Sequence, residues 1–138
     1  MRPQKLPPIA ENIRLEIKEK IPELSKHTVE KPAEILKIDE DGNKTYGGDV
    51  LAKQISLLSG QLPISDPENW GYCLLYFAVP TIVTNKRERG FFIPLSEKTL
   101  RGAVPEEGIS QEGFYFYFES KPQLQVNSKT GAIYVVPR

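Results

Sequence analysis

The segment from Tyr72 to Val83 constrains the fold more than any other part of this chain. It reads YCLLYFAVPTIV and contains no charged side chain, so exposing either of its faces to water would be unfavourable. Burying each large apolar side chain stabilises the folded state by about 1.5–3 kcal/mol. We therefore predict that this segment lies in the core.

Two secondary structures compete for the start of this core segment. Aromatic and β-branched residues, together with Gly71, favour a strand buried on both faces. A capping-box pattern at Ser65–Glu68 and the helical spacing of the apolar residues from Trp70 onward favour a helix. We predict a strand over 70–79. Pro80 has no N–H, so a strand that continued through it would have to be an edge strand or be bulged there.

A second apolar stretch, Phe91–Leu95, follows after the polar sequence NKRERG at 85–90. Two apolar stretches separated by a polar loop that ends in glycine are typical of a hairpin. In that hairpin the basic residues Lys86, Arg87 and Arg89 would project from the tip.

The spacing of apolar residues also predicts two amphipathic helices. In the first, over about 9–21, isoleucine recurs at every fourth residue, while charged residues such as Arg14 occupy the other faces. Pro22 ends or kinks this helix because it removes a backbone donor. The second helix is predicted over about 49–59, with Asp49 as its N-cap.

Several short strands are expected in the remaining sequence. Phe114–Phe118 alternates strictly, which places phenylalanines on one face of a strand and Tyr115 and Tyr117 on the other. The phenylalanines are expected in the core, and the tyrosines are expected to be half-exposed with hydrated hydroxyls. Hairpins are predicted over 34–46, around an Asp-Gly turn, and over 123–136.

These elements predict an α+β fold, because runs of strands do not alternate regularly with helices. We expect a single domain with an antiparallel sheet of about five or six strands packed against the two amphipathic helices. A chain of 138 residues suits one hydrophobic core. Residues 1–8, which include three prolines, are predicted to be an extended lead-in to a domain over 9–138.

Composition and charge limit the classes of function. The chain has 18 basic and 18 acidic residues, which argues against wholesale non-specific binding of nucleic acid. Its hydrophobic content of 39% is typical of a globular protein. No secretory signal and no apolar run long enough to cross a bilayer is visible. We therefore expect a cytoplasmic protein that does not interact with membranes.

Signatures of metal binding and nucleophilic catalysis are weak. The single histidine, His27, lies in a polar stretch, and the single cysteine, Cys73, lies in the core segment. One histidine excludes multi-histidine metal sites and leaves no second histidine for a relay. One cysteine cannot form an internal disulfide. We expect no metal and no cofactor.

The long loop over 96–113 is the first place to look for a site, since loops of this length in compact domains are often functional. Three of its four carboxylates, those of Glu106, Glu107 and Glu112, are candidates for acid–base chemistry. Adjacent glutamates on a loop are usually only hydrated.

A basic and aromatic set is the best binding candidate in the sequence. Arginine interleaved with aromatic residues is typical of single-stranded nucleic acid binding, although charge at a hairpin tip also keeps a protein soluble. The candidate residues are Lys86, Arg87, Arg89, Arg101, Tyr115 and Tyr117.

Three functional hypotheses follow, in this order. The first is a small non-enzymatic domain that binds a macromolecular partner, either another protein or a second copy of the chain. The second is a nucleic-acid-binding accessory protein that uses the basic tip and the tyrosines. The third is an enzyme with a carboxylate-based site.

Overall fold

The computed structural model describes residues 3–84, 89–101, 111–119 and 123–138. Within these ranges the chain forms two α-helices and nine β-strands. The helices are α1 (Pro8–Lys18) and α2 (Asp49–Ser59). The strands are β1 (Pro3–Lys5), β2 (Glu34–Ile38), β3 (Lys44–Gly47), β4 (Trp70–Phe77), β5 (Thr81–Thr84), β6 (Gly90–Pro94), β7 (Phe114–Phe118), β8 (Gln123–Val126) and β9 (Thr130–Pro137).

Seven of these strands form one antiparallel sheet in the order β1-β7-β6-β9-β4-β3-β2, and β5 pairs with β8 in a second, two-stranded sheet. The predicted α+β architecture is confirmed. The main sheet has seven strands rather than five or six because residues 3–5, in the predicted lead-in, pair with β7 as an edge strand.

Side-chain alternation divides the core into two layers. One face of the main sheet packs against α1 and α2 through residues such as Leu74, Ile93 and Ile133, and we call it the helix face. The other face, which carries Phe92 and Phe116, packs against β8 of the small sheet. We call this second surface the opposite face.

The core segment is a strand, as its composition predicts. β4 pairs with β9 over its whole length, from Trp70 opposite Pro137 to Phe77 opposite Thr130. The capping-box pattern produces only a 3-10 turn at Pro67–Asn69. Pro80 follows the end of β4, so it removes no hydrogen bond from the main sheet.

Two of the predicted hairpins are wrong. The predicted pairing across residues 85–90 is absent, because β5 pairs with β8 outside the main sheet, while β6 pairs with β7 and β9. β9 lies between β4 and β6, and it belongs to a different sheet from β8. Residues Thr130 to Val135 of β9 are buried. The central position of β9 in the main sheet therefore buries more apolar surface than it would have as one strand of a local hairpin.

The hairpin over 34–46 forms as predicted, from β2 and β3. Gly42 adopts a positive φ of 86° in its turn, a conformation that glycine reaches without steric cost. A carboxylate oxygen of Asp39 accepts hydrogen bonds from the backbone N–H groups of Asp41 and Asn43, which holds the turn in place.

Both helices differ from the prediction at particular residues. α1 buries Ala10, Arg14 and Ile17, whereas Ile9 is 63% exposed. Arg14 was expected on the polar surface, but its guanidinium is held inside by Glu11 and Glu112. The N-cap of α2 is Gly48, with no side-chain cap. Asp49 is therefore the first helical residue rather than the N-cap.

Two buried tyrosines provide a matched test of how hydroxyl groups contribute to this core. Tyr46 donates its hydroxyl hydrogen to the carboxylate of Glu23, whereas the hydroxyl of Tyr134 has no partner among the residues described above. We expect Tyr46→Phe to lower the free energy of unfolding by about 1–2 kcal/mol. Tyr134→Phe should leave it unchanged or raise it by about 1 kcal/mol, because no buried hydroxyl then stays unpaired. Urea unfolding at neutral pH measures both changes.

Equal losses in the two variants would contradict this assignment. Such a result would mean that the hydroxyl of Tyr134 also has a stabilising partner.

Candidate functional site

A cleft of about 350 Å³ opens on the helix face at one end of the main sheet. The segment that follows α2 forms one wall, and side chains of β1, β4, β6 and β7 line the rest. We call it the aromatic cleft. Its lining residues are Gln4, Pro63, Ile64, Ser65, Asp66, Trp70, Arg89, Phe91, Tyr115 and Tyr117.

Strand register brings the aromatic residues of the cleft together. Phe91 of β6 lies opposite Tyr117 of β7, and Gln4 of β1 lies opposite Tyr115. The ring centroid of Phe91 is 5.6 Å from that of Trp70, 5.7 Å from that of Tyr115 and 5.1 Å from that of Tyr117. These separations are in the range where tilted aromatic pairs stabilise each other.

The four rings differ in how much of their surface is accessible. Phe91 is 2% exposed and Trp70 is 8% exposed, whereas Tyr115 and Tyr117 are half-buried. The two buried rings support the cleft, and the two tyrosines offer the aromatic surface that a ligand can reach.

Gly90 allows β6 to enter the sheet at the edge of the cleft. A β-carbon at this position would lie 2.7 Å from the ring of Phe118 and 3.0 Å from the carbonyl oxygen of Val135. The absence of a side chain at Gly90 therefore lets its neighbours, Arg89 and Phe91, reach the cleft.

The cleft combines apolar rings with opposite charges. The guanidinium carbon of Arg89 lies 5.3 Å from the centroid of the Trp70 ring, within the range of a cation–π interaction. Asp66 contributes a half-buried carboxylate. Gln4 and Ser65 add hydrogen-bonding groups at the exposed rim.

The structure brings together three of the six residues that the sequence analysis selected. Arg89, Tyr115 and Tyr117 all line the cleft. Lys86 and Arg87 lie outside the described residues. Arg101 is exposed, and its backbone N–H donates to the carbonyl oxygen of Gln125 in β8, so it lies with the small sheet on the opposite face.

Sequence reasoning missed the other half of the cleft. Neither Trp70 nor Phe91, which follows the basic tip in the sequence, is among the six predicted site residues, and neither is Asp66 or Gln4. Strand alternation places both rings on the face that also carries Tyr115. Their proximity depends on the order of the strands, which no local pattern encodes.

The described part of the 96–113 loop is held by structural contacts. The side chain of Gln111 bonds both backbone groups of Leu100, at 2.6 and 2.8 Å. The carboxylate of Glu112 pairs with Arg14 at 3.1 Å and with Lys18 at 2.7 Å. Glu106 and Glu107 lie outside the described residues. Glu112 therefore joins this loop to α1 through ion pairs.

Cys73 and His27 lie in different settings. Cys73 is half-buried and packs against the core of the opposite face. Burial raises the pKa of its thiol, which keeps it protonated at neutral pH and less nucleophilic. His27 is exposed.

The part of the chain that the structure describes contains no group of three or more His, Cys, Asp or Glu residues arranged to hold a metal ion. Over those same residues, no helix has both the length and the hydropathy needed to cross a membrane.

Comparisons with protein-family models, with curated proteins and with solved structures find no match to this chain.

Proposed function

We propose that this chain is a non-enzymatic binding domain that contacts a protein partner through the aromatic cleft. The observation that carries the proposal is the convergence of Arg89, Tyr115 and Tyr117 on one cleft above the buried rings of Trp70 and Phe91. The four aromatic residues come from three different strands, β4, β6 and β7, and Arg89 directly precedes β6, so only the folded chain presents them together.

The composition of the cleft suits a protein interface. Tyrosine, tryptophan and arginine are the residues that most often dominate binding energy at such interfaces, particularly where they line a well-packed pocket. Packing against Phe91 already orders both tyrosine rings. Less side-chain entropy is therefore lost when a partner binds.

Single-stranded nucleic acid is the second candidate, because Arg89 lies over the ring of Trp70 beside two half-buried tyrosines. Bases stack on open ring faces and need cations for their phosphates. Arg89 lies over the Trp70 ring, and Asp66 places a carboxylate in the same cleft. Both features favour a protein ligand over a nucleic acid.

Site-specific photocrosslinking tests the proposal. A photoreactive amino acid in place of Tyr117 should crosslink a partner in cells that express the full chain. Binding of the purified partner should then weaken at least about thirtyfold when Arg89→Glu and Tyr115→Ala are combined, since hot-spot residues contribute about 2 kcal/mol or more.

Arg101→Glu is the matched control, because it reverses an exposed arginine on the opposite face. This control should keep its affinity for the partner, and urea unfolding should show that all variants fold. An unchanged affinity in the cleft variant, or an equal loss in the control, would overturn the proposal.

The second candidate has its own decisive measurement. If nucleic acid is the ligand, a single-stranded oligonucleotide should bind with an affinity that falls steeply as salt is raised. Binding should also fall when Arg89 becomes alanine. That combination would replace the protein-binding proposal with the nucleic-acid one.

A further inference from the structure

The shape of the aromatic cleft restricts what can enter it. The rings of Trp70, Tyr115 and Tyr117 are tilted by 45°, 59° and 46° from the plane of Phe91. Phe91 and Trp70 are only 2% and 8% exposed, so the aromatic surface that a ligand can reach is that of the half-buried Tyr115 and Tyr117. Aromatic side chains that line a groove provide the surface on which proline-rich segments dock.

The rim of the cleft suits an extended backbone. Gln4 and Ser65 are exposed there, and Tyr115 and Tyr117 are half-buried, so hydrogen-bond donors lie beside apolar surface. A polyproline-type segment has no internal hydrogen bonds. Its carbonyl groups therefore remain free to accept hydrogen bonds from donors at the rim of the cleft. Aromatic-lined grooves bind proline-rich segments in this way, with little loss of chain entropy.

The charges of the cleft indicate which residue should accompany the proline. Arg89 is exposed, and it places its guanidinium over the ring of Trp70. A guanidinium carries five N–H donors, so one that contacts a ring can still bind a carboxylate. Asp66 lines the same cleft and would repel acidic groups that do not contact Arg89, so we expect a single acidic residue in the partner segment.

We infer that the partner segment is an extended, proline-containing peptide whose aspartate or glutamate side chain binds Arg89 while a proline ring packs against Tyr115 and Tyr117. This inference rests on the proposed function, because it specifies the chemistry of the ligand for the same cleft.

The tryptophan fluorescence of the full chain tests the inference directly, since Trp70 is the only tryptophan in the sequence and lines the cleft. The probe is a capped synthetic peptide with the central sequence Asp-Pro-Pro-Leu-Pro. We expect a saturable change in the Trp70 emission. A peptide with alanine in place of every proline should bind at least about tenfold more weakly.

A second pair of measurements isolates the role of the charge. Replacing the aspartate of the peptide with asparagine should weaken binding about fivefold to the native chain and not at all to the Arg89→Gln variant. Arg101→Gln is the matched control and should preserve the difference between the two peptides. Each variant is compared with its own emission before peptide is added.

Three results would overturn the inference: equal binding of the proline and alanine peptides, no saturable change at millimolar peptide, or saturable binding of a single-stranded oligonucleotide instead. If the crosslinked partner still depended on Arg89 and Tyr115, the proposed function would stand without this inference. If that dependence were also absent, both would fail.

Discussion

Replacing Arg14 with alanine should lower the free energy of unfolding by about 2–4 kcal/mol, because it removes the centre of a partly buried ion-pair network. Arg14 is 1% exposed and contacts Glu11 at 2.8 Å and Glu112 at 3.1 Å. Burial by itself lowers the pKa of the guanidinium, but hydrogen bonds and charge from the two glutamates raise it above the ordinary value. Arg14 is thus charged throughout the accessible pH range, and its loss leaves both carboxylates without this partner.

Urea unfolding of two further variants separates charge from packing. Arg14→Met preserves most of the buried volume and should cost less than Arg14→Ala. Glu16→Ala changes an exposed residue of the same helix and should alter stability by no more than about 0.5 kcal/mol. A loss in Arg14→Ala no larger than that of Glu16→Ala would show that the network contributes little to stability.

The protein should lose stability steeply as pH rises above about 10. Burial is the main cause that raises the pKa of both Tyr46 and Tyr134 above the ordinary value of 10.0, helped at Tyr46 by its hydrogen bond to Glu23. Above pH 10 these tyrosines ionise in the unfolded chain but stay protonated in the folded one. The unfolded state then binds fewer protons, so the free energy of unfolding falls by about 1.4 kcal/mol per pH unit for each tyrosine.

The sign of this effect defines the pH window. The stability that the raised pKa values of the two tyrosines provide is fully present below pH 10, and it is lost as pH rises toward the pKa values of the folded state. Burial also raises the pKa of Tyr72, Tyr76 and Cys73. Their ionisation in the unfolded chain therefore also lowers the free energy of unfolding as pH rises.

Urea unfolding at several pH values between 8 and 11.5 measures the slope. The double variant Tyr46→Phe with Tyr134→Phe should flatten it by up to about 2.7 kcal/mol per pH unit, since neither residue can then ionise. A flat stability profile in the native chain, or an unchanged slope in the double variant, would contradict the prediction.

Features that depend on neighbouring residues were predictable from the sequence. Alternation in β7 places Phe116 and Phe118 in the core and leaves Tyr115 and Tyr117 half-buried, although Phe114, at the start of the strand, is also only half-buried. Successive side chains of any strand point to opposite faces, so this follows from backbone geometry alone. The β2–β3 hairpin follows from its Asp-Gly turn in the same way.

Features that depend on distant partners were not predictable. Arg14 looks like a surface residue in its own helix, and only Glu112, almost a hundred positions later, completes its network of ion pairs. The hairpin predicted over 85–90 fails for a similar reason. β9 takes the position beside β4 that β6 would have occupied, and a turn pattern contains no information about a strand so far along the chain.

The aromatic cleft shows where this division lies. Composition and alternation are local properties, so they were enough to select Arg89, Tyr115 and Tyr117 as binding candidates and to assign Trp70 and Phe91 to strands. The folded chain brings these residues into one cleft and leaves Arg101 outside it. The cleft residues lie close together only because particular strands pair. Strand pairing in turn depends on the apolar surface that the whole sheet buries on its two faces.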